Sequence, residues 1–248
     1  MESWYNEKEG AQQYCNSPRL SNEHISWPAI KELCGEVNGR RVLDLGTAGG
    51  ETARKVVALG ANCTGVDISQ EMLKIAREAT KNSGLKVEYI ERHCGDLDGI
   101  PDNEFDITIM NFLLCNVSSI DEIDSIFHEA YRVTKPAGKV IFTMHHPLQL
   151  TLKEPVLMDR CLVTNNGPTN YFAHGEKVKR LLRTYNSIIT VNNFHWTIQD
   201  YIDSFVKSGF LVDAIKEPKP LSPPSKFLEY FDQAYLTPLY LVVRGCKR

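Results

Sequence analysis

Arg41-Val42-Leu43-Asp44-Leu45-Gly46-Thr47-Ala48-Gly49-Gly50 is the stretch on which the fold turns. A short, mostly apolar run flows into a cluster of glycines, and the residues from Glu51 to Leu59 then carry a helical pattern that Gly60 stops. Such a run predicts a strand buried on both faces. The glycines predict a tight turn that lets a ligand approach the backbone and aims the helix N-terminus at it.

The same alternation continues outward. Ala61 to Asp67 reads as the next strand, and Ser69 caps a helix running to about Asn82, with Gly84 beyond it. Val87 to Glu91 and Phe105 to Asn111 follow as strands, then a helix from about Ser119 to Val133, then a fifth strand over Lys139 to Met144. Upstream, Ile25 to Leu33 reads as a helix with Pro28 near its start. Strands alternating with helices imply right-handed βαβ units, and therefore a doubly wound, mostly parallel, Rossmann-like α/β sheet. Phe210 to Ile215 and Tyr240 to Arg244 complete seven strands.

The alternation breaks after His146. The stretch 147–193 contains Pro155, Pro168 and two short strand patterns, Val178 to Leu182 and Ser187 to Val191. It is too long for a plain connection, so we read it as a cap over the acceptor site on a single domain spanning 1–248. Residues 1–36 read as an N-terminal helical lid, in which Trp4, Tyr5 and Tyr14 could close over a ligand.

Composition excludes several classes. The 248 residues are 42% hydrophobic and 24% charged, with a net charge of −3, so a nucleic-acid partner is not expected. The densest basic cluster, Lys177, Lys179, Arg180 and Arg183, reads as a solvated strand edge. Seven widely spaced cysteines with no C-x-x-C argue for reduced thiols, and neither a disulfide framework nor a metal site is expected. No apolar run approaches a membrane span, and no basic-then-apolar leader opens the chain, so a cytoplasmic protein is expected, monomeric or homodimeric.

The ligand of an open α/β sheet sits at the carboxyl ends of the strands, where strand order reverses. Asp67 ends the second strand roughly 20 residues beyond Gly46, where an acid accepts the hydroxyls of a ribose. That suits NAD and S-adenosylmethionine alike. Asp44, within the first strand, and Asp96, after the third, separate the two. Three acids around one pocket favour a cationic sulfonium and oppose a pyrophosphate. An oxidoreductase using NAD is therefore the weaker alternative.

Across about 37–145 the sequence resembles the class I S-adenosylmethionine-dependent methyltransferases. The resemblance is carried by Val42 to Gly50, Gly65-Val66-Asp67-Ile68-Ser69, Gly95-Asp96-Leu97, Phe105-Asp106 with Asn111, and Arg132 to Lys139. It implies that Asp44, Gly46, Thr47 and Gly49 hold the methionine portion and Asp67 the ribose, with Ile68 and Met72 beside it. Asp96 and Leu97 would hold the adenine, while Asn111 and the lid residue Tyr14 contact the cofactor. The family usually carries glycine where Ala48 stands, and alanine fits there if its φ is negative. The C-terminal third, from Phe194-His195-Trp196 to Glu217-Pro218, is similar to the small-molecule members. The resemblance thus implies methyl transfer to an O or N atom of a small-molecule acceptor. Binding without turnover, or a reaction other than methylation, are the further alternatives.

Methyl transfer is an in-line displacement, and a base is needed only where the acceptor arrives protonated. His145 and His146 follow the fifth strand at its carboxyl end; His145 is the preferred base, and alternation lets only one face the pocket. His195, placed at the start of the helix after the cap, could orient the acceptor. Tyr185 in the cap is a further candidate, and Arg19 could meet an acceptor carboxylate.

Overall fold

The computed structural model describes residues 4–17, 19–150, 157–158, 161–163, 168–183, 188–223 and 231–248. Tyr185 and the Trp4 side chain lie outside them.

Seven strands form the main sheet: β1 (Arg41–Leu45), β2 (Asn62–Asp67), β3 (Glu88–Glu91), β4 (Phe105–Asn111), β5 (Thr134–His145), β10 (Phe210–Lys216) and β11 (Tyr240–Lys247). Their order is β10-β11-β5-β4-β1-β2-β3. β3 through β5 pair in parallel, and β11 alone runs antiparallel, inserted between β5 and β10. Strand order reverses between β1 and β4, which fixes the place where a ligand can enter.

Helices cover both faces. They are α1 (Lys8–Cys15), α2 (Trp27–Cys34), α3 (Glu51–Ala58), α4 (Gln70–Ser83), α5 (Ile120–Val133), α6 (Pro147–Leu150), α7 (Ile198–Lys207) and α8 (Asp232–Leu236). On one face α5 and α7 bury Phe127 and Phe205 against Phe142 of β5, the three rings meeting edge to face at 5.0–5.1 Å. On the other, Ile30 and Leu33 of α2 and Val56 of α3 pack on Val42, Ile109 and Ile141. Each such side chain contributes about 2 kcal/mol by leaving water. The caps follow the sequence signals. Ser69 accepts the Met72 N–H at the start of α4, Gly84 ends that helix in the left-handed region, and Thr197 with Asp200 forms a capping box on α7.

Pro28 stands in the first turn of α2, as expected, and a π-turn over Asn22–Ser26 that was not expected leads into that helix. Proline removes one backbone donor and crowds the preceding turn, and a widened turn accommodates both. The stretch after β5 holds four strands where two were expected: β6 (Leu157–Met158), β7 (Cys161–Val163), β8 (Glu176–Arg183) and β9 (Ile188–His195) form a second, antiparallel sheet. β8 and β9 pair along their whole length, with Val178 opposite Asn193 and Arg180 opposite Val191.

Candidate functional site

The turn after β1 is built on Gly46 and Gly50, both at positive φ; a Cβ on Gly46 would lie 2.8 Å from Leu113 Cδ1. Ala48 corrects the sequence reading, because its φ is +46° and not negative. A methyl in that region costs about 1 kcal/mol. What holds it there is Asp67: its Oδ2 accepts the Ala48 N–H at 2.8 Å while its Oδ1 accepts the Ser69 N–H at 2.9 Å. Burial pushes the Asp67 carboxyl up, and the N–H groups of Ser69, Ala48 and Ile68 pull against it. One carboxylate thus ties the glycine turn to the start of α4.

Asp44 lies beneath this turn, 1% exposed, and is not on the cavity wall. Thr47 is the residue that faces the cavity, and its hydroxyl donates to Asp44 Oδ2 at 2.6 Å. Both Asp44 and Thr47 were expected at the ligand; the structure stands the threonine between the acid and the cavity. Burial pushes the Asp44 carboxyl up to about 7, against the Thr47 hydroxyl and the Ala53 N–H. The folded protein therefore keeps a proton that the unfolded chain, with an ordinary value near 4, releases. Stability then falls as pH rises from about 4 to about 7 and is flat above, a loss on the order of 4 kcal/mol. We expect Asp44→Asn to flatten this dependence: its melting temperature relative to wild type should rise between pH 4.5 and about 7 and level off above. Parallel pH profiles for the two proteins would show that Asp44 does not titrate in this window.

Above the turn opens a cavity of about 310 Å³, the lower end of the range for small-molecule sites. Gly46, Thr47, Asp67, Ile68 and Met72 line one part of it. Tyr5, Tyr14 and Arg19 close it from the N-terminal segment. The Arg19 guanidinium lies 4.4 Å above the Tyr14 ring and 3.4 Å from Glu51 at the start of α3. The π-turn aims Asn22 inward, where it meets Glu51 at 3.1 Å and the Asn111 amide at 3.4 Å. Asn111 Oδ1 is buried without a hydrogen-bond partner, a standing acceptor at the end of β4. Gly49 has a different task from the one expected: it is off the wall, and a Cβ there would lie 2.6 Å from Cys15 Sγ, so glycine lets α1 dock on the turn.

The turn after β3 brings a second correction. Asp96 is exposed, accepts the Asp98 N–H at 3.4 Å, and does not reach the cavity. Leu97 is fully buried in the core with its N–H committed to Glu129 Oε2 at 2.8 Å. His93 and Cys94 line the wall in their place. The Asp-Leu pair lies three residues beyond the pair that reaches the wall, because a turn and not a strand carries these side chains.

The carboxyl end of β5 separates the two histidines as alternation requires. His145 lines the cavity, stacked 4.9 Å from Phe112, with Nδ1 buried and without a partner. Burial, reinforced by the Arg180 charge, holds its pKa well below the ordinary histidine value, so the ring is neutral. Phe112 itself sits at φ +59°, an unusual position for a bulky residue and a mark of a constrained site. His146 faces away: it is 4% exposed, donates to Glu217 at 3.0 Å and accepts the Leu148 N–H at 3.3 Å. His195 also departs from expectation. It ends β9, is fully buried, donates to the Tyr171 carbonyl at 2.8 Å, and is absent from the wall.

Arg180 is the residue that sequence reading misplaced. It is 2% exposed, lines the cavity from β8, and its Nη1 donates to Asn193 Oδ1 at 3.4 Å. Lys177 and Lys179 are exposed, as a solvated edge predicts. The signal was available in the period of two: Arg180 shares a strand face with Val178 and Leu182, the buried face.

Residues 43–142 match the family described as Methyltransferase domain. Among curated relatives, a ubiquinone biosynthesis O-methyltransferase from Bordetella avium is 36% identical over 48% of this chain and 47% of its own length. A demethylmenaquinone methyltransferase from Tropheryma whipplei is 39% identical over 52% of this chain and 51% of its own. The chain thus spans about half the length of the curated relatives it matches. An S-adenosylmethionine-dependent methyltransferase structure from Mesorhizobium loti superposes with a TM-score of 0.61 at 20% identity, covering 90% of this chain and 97% of that one; it shows the shared fold. No helix among the described residues is long and apolar enough to cross a membrane. The glycine turn, the acid ending β2 and the strand order all lie within or around the segment 43–142, the part of the chain that is similar to a methyltransferase domain.

Proposed function

We propose that the chain transfers the methyl group of S-adenosylmethionine to an O or N atom of a small molecule. The observation that carries this reading is that one cavity joins the Gly46–Asp67 wall to His145 and to the second sheet, so donor and acceptor would share a single chamber. The residues present fit the cofactor. Asp67 offers remaining lone pairs to ribose hydroxyls, and Asn111 Oδ1 is an unused acceptor for an ammonium. Arg19 is the cation at the α3 end of the cavity, suited to the methionine carboxylate, with Tyr14 and Tyr5 over the top.

S-adenosylmethionine, when bound, supplies an electrophilic methyl group on a sulfonium. The second sheet and the N-terminal segment exclude water from the chamber, and Phe112 with Tyr240 holds a planar acceptor in line. His145, neutral and with Nδ1 uncommitted, takes the proton from a hydroxyl or amine as the new bond forms. An O-methyltransferase among the relatives favours oxygen as the attacking atom.

Calorimetric titration with S-adenosylmethionine, S-adenosylhomocysteine and NADH tests the cofactor assignment. The first two should bind and NADH should not. Binding of NADH alone, or of none of the three, would defeat it.

A further inference from the structure

Asn22 lies outside the segment 43–142, yet it links the start of α3 to the end of β4 through its side-chain amide. It is buried and lines the cavity. The turn that carries it is closed by the Trp27 N–H on the Asn22 carbonyl, five residues back, which is the π pattern. Asn22 and Ser26 both fall on the buried side of this wider turn, and the Ser26 hydroxyl donates to Asn22 Oδ1.

The resulting chain of hydrogen bonds has a direction, and Glu51 sets it. Against burial, the charges of Arg19 at 3.4 Å and Lys55 at 2.8 Å hold the Glu51 carboxyl below its ordinary value. Glu51 is therefore ionised and can only accept. Asn22 must turn its amide nitrogen to Glu51, at 3.1 Å, and its oxygen to Asn111, whose Nδ2 donates to it at 3.4 Å. The other acceptor of Asn111 Nδ2 is the Thr52 hydroxyl at 3.2 Å, which could equally donate and so fixes no direction. With Nδ2 held by Asn22, Asn111 Oδ1 is the free end of the chain, buried and without a hydrogen-bond partner. Reversed, the same amide would present donors to the cavity and oppose a cation there.

We propose that Asn22 is a positioning residue: it locks the Asn111 amide with its oxygen toward the chamber, and so selects a ligand that carries an ammonium group at that end. This inference rests on the S-adenosylmethionine reading and assigns recognition of the cofactor's amino group to the π-turn. A buried acceptor left unpaired is costly, and an ammonium answers it with a charge-assisted hydrogen bond. A site built this way rejects a ligand that lacks the donor far more strongly than an apolar wall could. Asn22 contributes to that selection through Asn111 and has no need to touch the ligand itself.

The test is calorimetry on the full chain with S-adenosylhomocysteine and with its desamino analogue, in which hydrogen replaces the amino group. The wild type should bind the analogue more weakly by on the order of 10-fold or more. Asn22→Ala should shrink that preference to roughly threefold or less, while 5′-methylthioadenosine, which lacks the whole amino-acid end, keeps its affinity within about twofold. Asn111→Ala should shrink the preference as far, and the double variant no further, because the two residues act as one unit. A wild type that does not bind S-adenosylhomocysteine defeats the cofactor reading, and this inference falls with it. Equal binding of the two ligands by the wild type, a preference that survives Asn22→Ala, or additive losses in the double variant would overturn this inference alone. Equal weakening of all three ligands in Asn22→Ala would do the same, since that is the mark of a merely structural residue. If Asn22→Ala does not fold, Asn22→Ser, whose hydroxyl cannot fix the direction of the chain, should lose the preference in its place.

Discussion

Replacing Asp67 with alanine is expected to weaken S-adenosylmethionine binding by on the order of 100-fold, which is two lost charge-assisted hydrogen bonds at about 1.5 kcal/mol each. The effect should exceed that of a ribose contact alone, because the carboxylate has an internal task. It accepts the N–H of Ala48 on one oxygen and of Ser69 on the other. Without it, Ala48 at φ +46° loses the bond that offsets its strain, and the glycine turn relaxes away from the shape that receives the ligand. Asp67→Asn should fall short of rescue, since an amide presents a donor to one of the two N–H groups. Calorimetry on the three proteins measures this directly. Affinity in Asp67→Ala within threefold of wild type would remove Asp67 from the cofactor site.

The second large effect is expected at His145. Its replacement by alanine should lower the single-turnover rate with a hydroxyl-bearing acceptor by on the order of 10²–10³-fold and leave S-adenosylhomocysteine affinity nearly unchanged. Because burial and the Arg180 charge hold the wild-type ring well below the ordinary histidine value, it is already a free base at neutral pH. The acid limb of the pH–rate profile should accordingly lie below about 6.5 in the wild type and vanish in the variant. His146→Ala and His195→Ala, by contrast, should act mainly on stability, since both side chains are buried in contacts away from the cavity. An unchanged rate in His145→Ala would mean that the acceptor reaches the site already deprotonated.

The residues expected at the site that do line the cavity share a property: each is fixed by backbone geometry within a few positions of a recognisable signal. Gly46 and Thr47 follow the end of β1, Asp67 ends β2, Ile68 and Met72 lead into a capped helix, and Asn111 ends β4. Tyr14 and His145 reach the wall for similar local reasons. Where a turn intervenes, register is lost. Asp96 and Leu97 gave way to His93 and Cys94, because a chain reversal carries no period from which to count.

By itself, then, the sequence determined the doubly wound sheet, the switch point between β1 and β4, and the acid Asp67 and the glycine Gly46 that face it. Hydrophobic period, capping residues and glycine placement are local quantities, and the handedness of βαβ units converts them into topology. Only the tertiary structure decided what closes over that site. Arg180 became a wall residue when β8 turned its buried face to the chamber and Arg19 when the N-terminal segment folded across it, while Asp44 was kept off the wall when Thr47 came to rest between it and the cavity. These placements depend on contacts between segments far apart in the chain, and on the balance of burial and charge at each one, which no local pattern encodes.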